Sequence, residues 1–180
     1  LMSQSSEGAM AALMGFNRES LDEAIAATEG VVLANDNNPG QVVISGTPEG
    51  VEAIMANVKS KRAVKLKVSG AFHSPLMAPA SREFQEVLSA IEFAYAEVPV
   101  LSNVDPTPAM DSVALKQRLS AQMTGSVRWR EISLALPELD VDTVIEVGPG
   151  AVLTGLIKRT CKGLTLINVG NLEQLQGLSV

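Results

Sequence analysis

Apolar positions along this chain recur with two periods, near two and near 3.6 residues, and the order of those periods divides it into two parts. Residues 9–16 form a short apolar run, read as a buried strand with a helix as the alternative. Asn17 then caps a helix that places Leu21, Ala24, Ile25 and Thr28 on one face, and Gly30 ends it. Val31–Ala34 is a strand. The run Asn35-Asp36-Asn37-Asn38-Pro39-Gly40 is dense in turn formers, with Pro39-Gly40 suited to the centre of a type II turn. Gln41–Ser45 is the next strand. Thr47-Pro48 opens a helix with Val51, Ile54, Met55 and Val58 on its apolar face, and residues 63–68 alternate as a strand. Residues 8–68 thus spell β-α-β-β-α-β, the ferredoxin-like order. Residues 1–7 carry no clear element and are expected to be the end of an upstream core segment.

The second part, 69–180, changes character. Pro75 starts a long helix with Met77, Ala80, Phe84, Val87, Leu88 and Ile91 on one face, and Pro79 lies in its first turns. Residues 98–104 read as a strand and 105–110 as a proline-containing loop. Asp111 caps a helix to about Met123, a second helix spans 128–136, and Thr143–Val147 is a buried strand. Gly148-Pro149-Gly150 turns that strand into a helix at 151–160, before a last strand at 164–169. The expectation is an α/β layer with parallel strands and covering helices. Three strands are few for such a sheet, so other strands are expected to complete it from elsewhere.

Composition narrows the chemistry. A net charge of -6 gives no basic field for nucleic acid. One Cys and one His exclude a Cys/His zinc site and an internal disulfide, which fits a reducing compartment. No apolar run approaches the ~20 residues of a membrane span, and no signal-peptide pattern is visible. The only histidine, His73, stands between the 63–68 strand and the helix capped by Ser74, where a base could activate a hydroxyl or thiol. A packed or helix-capping histidine is the competing reading. Ser69 and Ser74 are too close in sequence to serve it in line. Cys161, in Lys158-Arg159-Thr160-Cys161-Lys162, is a weaker candidate that nearby cations could activate. Residues 146–150 read as a tight turn rather than a phosphate loop, lacking the spacing and lysine of a P-loop. Lys59, Lys61 and Arg62 form a basic knot at a helix end, serving either the helix dipole or an acidic partner.

Five stretches occur in an order that carries a resemblance. They are Gly8–Ala12, Asn38–Gly46, Gly70-Ala71-Phe72-His73-Ser74, Asn103-Val104-Asp105, and Glu146–Gly150 followed by Leu153-Thr154-Gly155-Leu156. Together the chain resembles the malonyl-CoA:acyl-carrier-protein transacylases of type II fatty acid synthesis, and more distantly the acyltransferase domains of polyketide synthases. The resemblance implies an α/β-hydrolase-like core carrying an inserted ferredoxin-like subdomain. It implies transfer of malonyl from CoA through an acyl-serine to the phosphopantetheine thiol of acyl carrier protein, without a further cofactor. His73 matches the catalytic histidine, and Gln122 the residue whose backbone carbonyl orients it. Phe72 matches a position tied to malonyl preference. Asn35, Asn37 and Gln41 match polar positions along the thioester channel, and Lys61 and Arg62 match carrier-docking residues.

The same resemblance implies that the nucleophilic serine, the carboxylate-binding arginine and part of the oxyanion hole lie upstream of this sequence. The chain alone is therefore expected to be inactive. Two other readings stand beside this one: a non-catalytic carrier-protein-binding module, and a truncated polyketide synthase acyltransferase domain. The expected compartment is the cytoplasm, with a plastid or other organelle as the alternative.

Overall fold

The computed structural model describes residues 8–178. The segment 1–7, expected to end an upstream core, lies outside the described residues. The predicted β-α-β-β-α-β order is present as β1 (Ala9–Phe16), α1 (Arg18–Ala27), β2 (Val31–Asn38), β3 (Gln41–Gly46), α2 (Pro48–Asn57) and β4 (Ser60–Lys65). The strands form one sheet in the order β2-β3-β1-β4, with every neighbouring pair antiparallel.

The apolar run of β1 is continuous because both faces of the sheet are covered. Ala9, Ala11 and Leu13 pack with Leu21 of α1 and with Val51 and Ile54 of α2. Met10 and Ala12 face the other way, against Ala34, Val43 and Phe72. Local signals set both helix starts. Asn17 accepts from the Ser20 N–H, and Thr47 accepts from the Gly50 N–H ahead of Pro48 in the first turn.

The polar run 35–38 is strand, not turn. β2 keeps its pairing with β3 through Asn38 by two register shifts, between Leu33/Asn35 and Asp36/Asn38. Such bulges let polar residues stay in a ladder while redirecting their side chains. Only Pro39-Gly40 turns the chain. Gly40 lacks the positive φ of a type II turn; its N–H donates to Asn38 Oδ1 at 2.9 Å instead. β4 begins before the predicted strand and ends at Lys65, although the Leu66 N–H still donates to the Met10 carbonyl at 2.8 Å.

The second part departs further from expectation. A 3-10 turn, Pro75–Met77, precedes α3 (Ala78–Ser89), with Pro79 in the first turn of the α-helix where its missing N–H does no harm. β5 (Val100–Ser102) and β6 (Asp105–Ala109) make an antiparallel hairpin in place of the predicted strand and loop. Pro106 and Pro108 disguise β6 in the sequence, and a two-stranded ribbon tolerates them because its outer edge needs no donors. α4 (Ser112–Ala121), α5 (Trp129–Glu138), β7 (Thr143–Val147), α6 (Val152–Thr160), β8 (Thr165–Val169) and α7 (Leu172–Gln176) follow. Among the described strands β7 and β8 alone pair in parallel, so the predicted strands fall into two separate two-stranded sheets. Val147 at the end of β7 and Val152 at the start of α6 are left 81% and 69% exposed, which agrees with an unfinished layer.

Candidate functional site

His73 sits where the loop after β4 meets the 3-10 turn, half-buried, with φ at 59°. A non-glycine residue takes this left-handed conformation only when its surroundings hold it there. Ser74 does much of the holding. Its hydroxyl, fully buried, donates to the Ala71 carbonyl at 2.7 Å and accepts from the Leu76 N–H at 3.3 Å. Ser74 is thus the N-cap that the sequence predicts, and it is not free to act as a nucleophile. Phe72 packs against the outer face of the four-stranded sheet and also against Met77, Ala80 and Met123.

The imidazole points at the end of α4. Gln122 is the C-cap there, so its carbonyl belongs to the set that a helix leaves without an internal partner. That oxygen lies 3.0 Å from His73 Nδ1, and the Gln122 side-chain nitrogen lies 3.1 Å from the same atom. Nδ1 cannot donate to one and accept from the other. A carbonyl only accepts, so a bare Nδ1 would set two lone pairs against each other; Nδ1–H removes that repulsion. The Gln122 amide has another acceptor, the Gly125 carbonyl, at 3.4 Å. We therefore assign the Nδ1–H tautomer, which leaves Nε2 with an open lone pair.

The other predicted residues are brought together only in part. Asn35 pairs with Val43, and Val43 with Ala12; Gln41 and Arg62 both pair with Met14. Paired residues share a face, so Asn35, Gln41 and Arg62 lie on the same face as the Met10 and Ala12 cluster that Phe72 covers. Lys61, one residue away, lies on the opposite face, with its stem over Gly15. The knot of Lys59, Lys61 and Arg62 is therefore not a helix-end cluster: Lys61 and Arg62 belong to β4, and they splay. The sequence hides this because β4 starts at Ser60, ahead of its apolar residues. Asn37 is half-buried beside the second register shift of β2.

Two candidate chemistries are closed. Cys161 donates to the Ser133 carbonyl at 2.8 Å, and burial pushes its thiol pKa up, opposite to the activation that neighbouring cations would bring. The N-terminus of α6 already holds an anion, since Glu146 accepts from the Leu153 and Thr154 N–H groups at 3.0 and 2.8 Å. Those bonds, chiefly the one from Thr154, hold the Glu146 carboxyl below its usual range, and Asn168 Nδ2 adds another at 3.0 Å. No cluster of three or more His, Cys, Asp or Glu suited to a metal occurs among the described residues.

One buried ion-pair cluster is invisible in the sequence. Asp36, 3% exposed on β2, accepts from Arg18 Nη1 of α1 at 3.0 Å and from Arg130 Nε of α5 at 2.9 Å. Burial opposes the Arg18 charge, but its bonds to Asp36 and Asp22 outweigh that and its pKa is raised. Asp36 lies in a run of turn formers, and its partners stand 18 and 94 residues away, so no local pattern announces it.

A groove of about 400 Å³ lies behind Gln122, lined by Asn103, Leu115, Arg118 and Leu119 among others. The larger cleft, about 700 Å³, does not include His73; it lies between α6 and β8, beside Lys158, Cys161 and Asn168. Neither of these two cavities has His73 in its lining.

Residues 1–176 match the model of the acyl transferase domain. The chain belongs to that family. Over 178 residues it is 57% identical to the malonyl CoA-acyl carrier protein transacylase of Synechocystis sp., covering 99% of this chain and 61% of that protein. The same-named Bacillus subtilis protein is 43% identical, with 94% of this chain and 56% of that protein covered. The chain thus spans about three-fifths of these relatives' length. A crystal structure of the Synechocystis transacylase superposes with a TM-score of 0.95, covering 98% of this chain and 60% of that one. A type II polyketide acyl-carrier protein in complex with its malonyl-transacylase gives 0.89 at 37% identity, covering 97% and 60%. These likenesses establish the acyltransferase's α/β fold. No described helix is long and apolar enough to cross a membrane.

Proposed function

We propose that this chain supplies the base-bearing part of a malonyl-CoA:acyl-carrier-protein transacylase, and that its family's nucleophilic serine comes from a segment upstream of residue 1. The observation that carries the reading is His73 Nδ1 at 3.0 Å from the Gln122 carbonyl, with no hydrogen bond to Nε2 among the described residues. In this reading 8–68 is a ferredoxin-like subdomain inserted into an α/β-hydrolase-like core, whose C-terminal part is 69–180.

Nε2 takes the serine hydroxyl proton as the oxygen attacks the malonyl thioester carbonyl. The tetrahedral intermediate collapses, the C–S bond breaks, and the imidazolium returns the proton to the departing CoA thiolate. In the second half, Nε2 takes the proton of the carrier's phosphopantetheine thiol, whose sulfur attacks the acyl-serine. The C–O bond then breaks and the serine oxygen regains the proton. Every bond made is matched by one broken, and the two thioesters require no further cofactor. The Gln122 carbonyl takes the orienting place an Asp holds in a triad.

Phe72, Asn35 and Gln41, on one side of the sheet, and Asn37 at the bulge border the acyl and pantetheine path in this reading. Lys61 and Arg62, exposed on the edge strand β4, meet the acidic carrier from the two faces of that edge. The work is expected in the cytoplasm, and the carrier belongs to fatty acid or polyketide synthesis; the relative solved with a polyketide carrier keeps both in play.

The test uses the full-length protein containing this chain, incubated with malonyl-CoA and carrier protein. Peptide mapping by mass spectrometry should find malonyl on a serine outside residues 1–180. His73→Gln should lower transfer by about a hundredfold or more, within the range for loss of a general base. Residues 1–180 expressed alone should transfer nothing. Malonyl on Cys161, or full activity in His73→Gln, would overturn the reading.

A further inference from the structure

We propose that Asp36 is a positioning residue for His73, acting through a strap, residues 122–130, that it grips at the far end. The proposal deepens the reading of His73 as the base and rests on it.

The strap runs from Gln122, the first residue after α4, into the first turn of α5. Its first residue, Gln122, holds His73 Nδ1. Its middle is laced to β2 as a short parallel bridge between Asn35 and Val127. There the Val127 N–H donates to the Ala34 carbonyl, and the Asp36 N–H donates to the Val127 carbonyl, both at 2.8 Å. Ser126 Oγ adds a bond to the same Ala34 carbonyl at 3.3 Å. Its end, Arg130, is held by the Asp36 carboxylate. At Gly125 a Cβ would lie 2.8 Å from Val104 Cγ1 and 2.9 Å from the Ala121 carbonyl, so the strap has no lateral room.

A short segment without slack transmits a displacement at one end to the other. The four-stranded sheet is thus tied to the strap, and through it to the imidazole, by the backbone bonds at Val127, by Ser126 and by one buried carboxylate at the far end. Asp36 Oδ1 has no hydrogen-bond partner among the described residues, so this carboxylate is incompletely satisfied though almost fully buried. Stability alone gives poor reason to keep such a group, because an apolar contact between the same elements costs less. Fixing a register between two elements is the better-attested use of a buried ion pair.

The two arginines separate positioning from mere stability. Both bond the same carboxylate oxygen, but only Arg130 lies on the strap; Arg18 belongs to α1. In the full-length protein, Arg130→Gln should lower kcat by about tenfold or more while leaving the KM for malonyl-CoA within about twofold, the signature of a misplaced reacting group. Arg18→Gln should leave both within about twofold. Long-range ¹⁵N NMR, with the His73 signal assigned by its loss in His73→Gln, should show the Nδ1–H tautomer in the parent and in Arg18→Gln, and a mixed tautomer in Arg130→Gln. Arg130→Lys, which keeps the charge, should recover most of the rate. Should Arg130→Gln not fold, Ser126→Ala loosens the strap without touching the ion pair and should move kcat and the His73 signal the same way. Equal effects from the two glutamine variants, or an unmoved His73 signal in every folded strap variant, overturn the proposal. If the parent itself transfers no malonyl, the base reading fails while the NMR comparison still judges the strap.

Discussion

The left-handed backbone at His73 makes a prediction about sign. At an ordinary position, alanine is more stabilising than glycine by about 0.4–1 kcal/mol, because glycine has more conformational freedom to lose. At φ 59° that order should reverse. An alanine Cβ there meets the following carbonyl, at about 1–2 kcal/mol, whereas glycine enters the region freely. Both His73→Ala and His73→Gly remove the imidazole and leave the Gln122 carbonyl without its donor, so those losses cancel between them. Setting the steric term against glycine's entropy leaves His73→Gly the more stable by about 0.5–1 kcal/mol. With a urea slope of about 2–3 kcal/mol per molar, its midpoint should lie about 0.3 M above that of His73→Ala. The measurement is equilibrium urea unfolding of the two full-length variants, followed by circular dichroism. An alanine midpoint equal to or above the glycine midpoint would falsify the claim that the surroundings force this conformation on the histidine.

Two further outcomes test other parts of the fold. Gly46→Ala would put a Cβ 2.0 Å from the Gly30 carbonyl oxygen and 2.8 Å from Val31 Cα, which only backbone movement relieves. It should cost about 2–4 kcal/mol and lower Tm by about 5–10 °C, and an unchanged Tm would contradict the β2–β3 register. The Glu146 carboxyl is held below its usual range, so its contribution to stability is present above the unfolded-state value near 4.5 and lost as pH falls through the lower folded value. The Tm advantage of the parent over Glu146→Gln should therefore shrink between about pH 6 and pH 3; a pH-independent difference would show that the carboxylate does not cap α6.

What could be read in advance was local. Asn17, Thr47, Ser74 and Asp111 were legible as caps because a cap is decided within four residues of chain. The run 35–38 reads as turn because asparagines and aspartate announce turns, and a bulge that keeps them in a strand depends on the partner strand. β6 was lost behind Pro106 and Pro108 for the same reason. Lys61 and Arg62 read as a helix end because β4 opens on polar residues. The contact between His73 and Gln122 spans 49 positions. It followed from family resemblance rather than from pattern, and the Asp36 ion pairs followed from neither.

Phe72 lies in two apolar clusters at once, one on the sheet and one on α3 and the end of α4. The resemblance ties this same side chain to the choice of acyl group. On that reading a change of selectivity at Phe72 also loosens a seam, and a lineage that trades Phe72 for a smaller residue should carry compensating bulk at Met77, Ala80 or Val43.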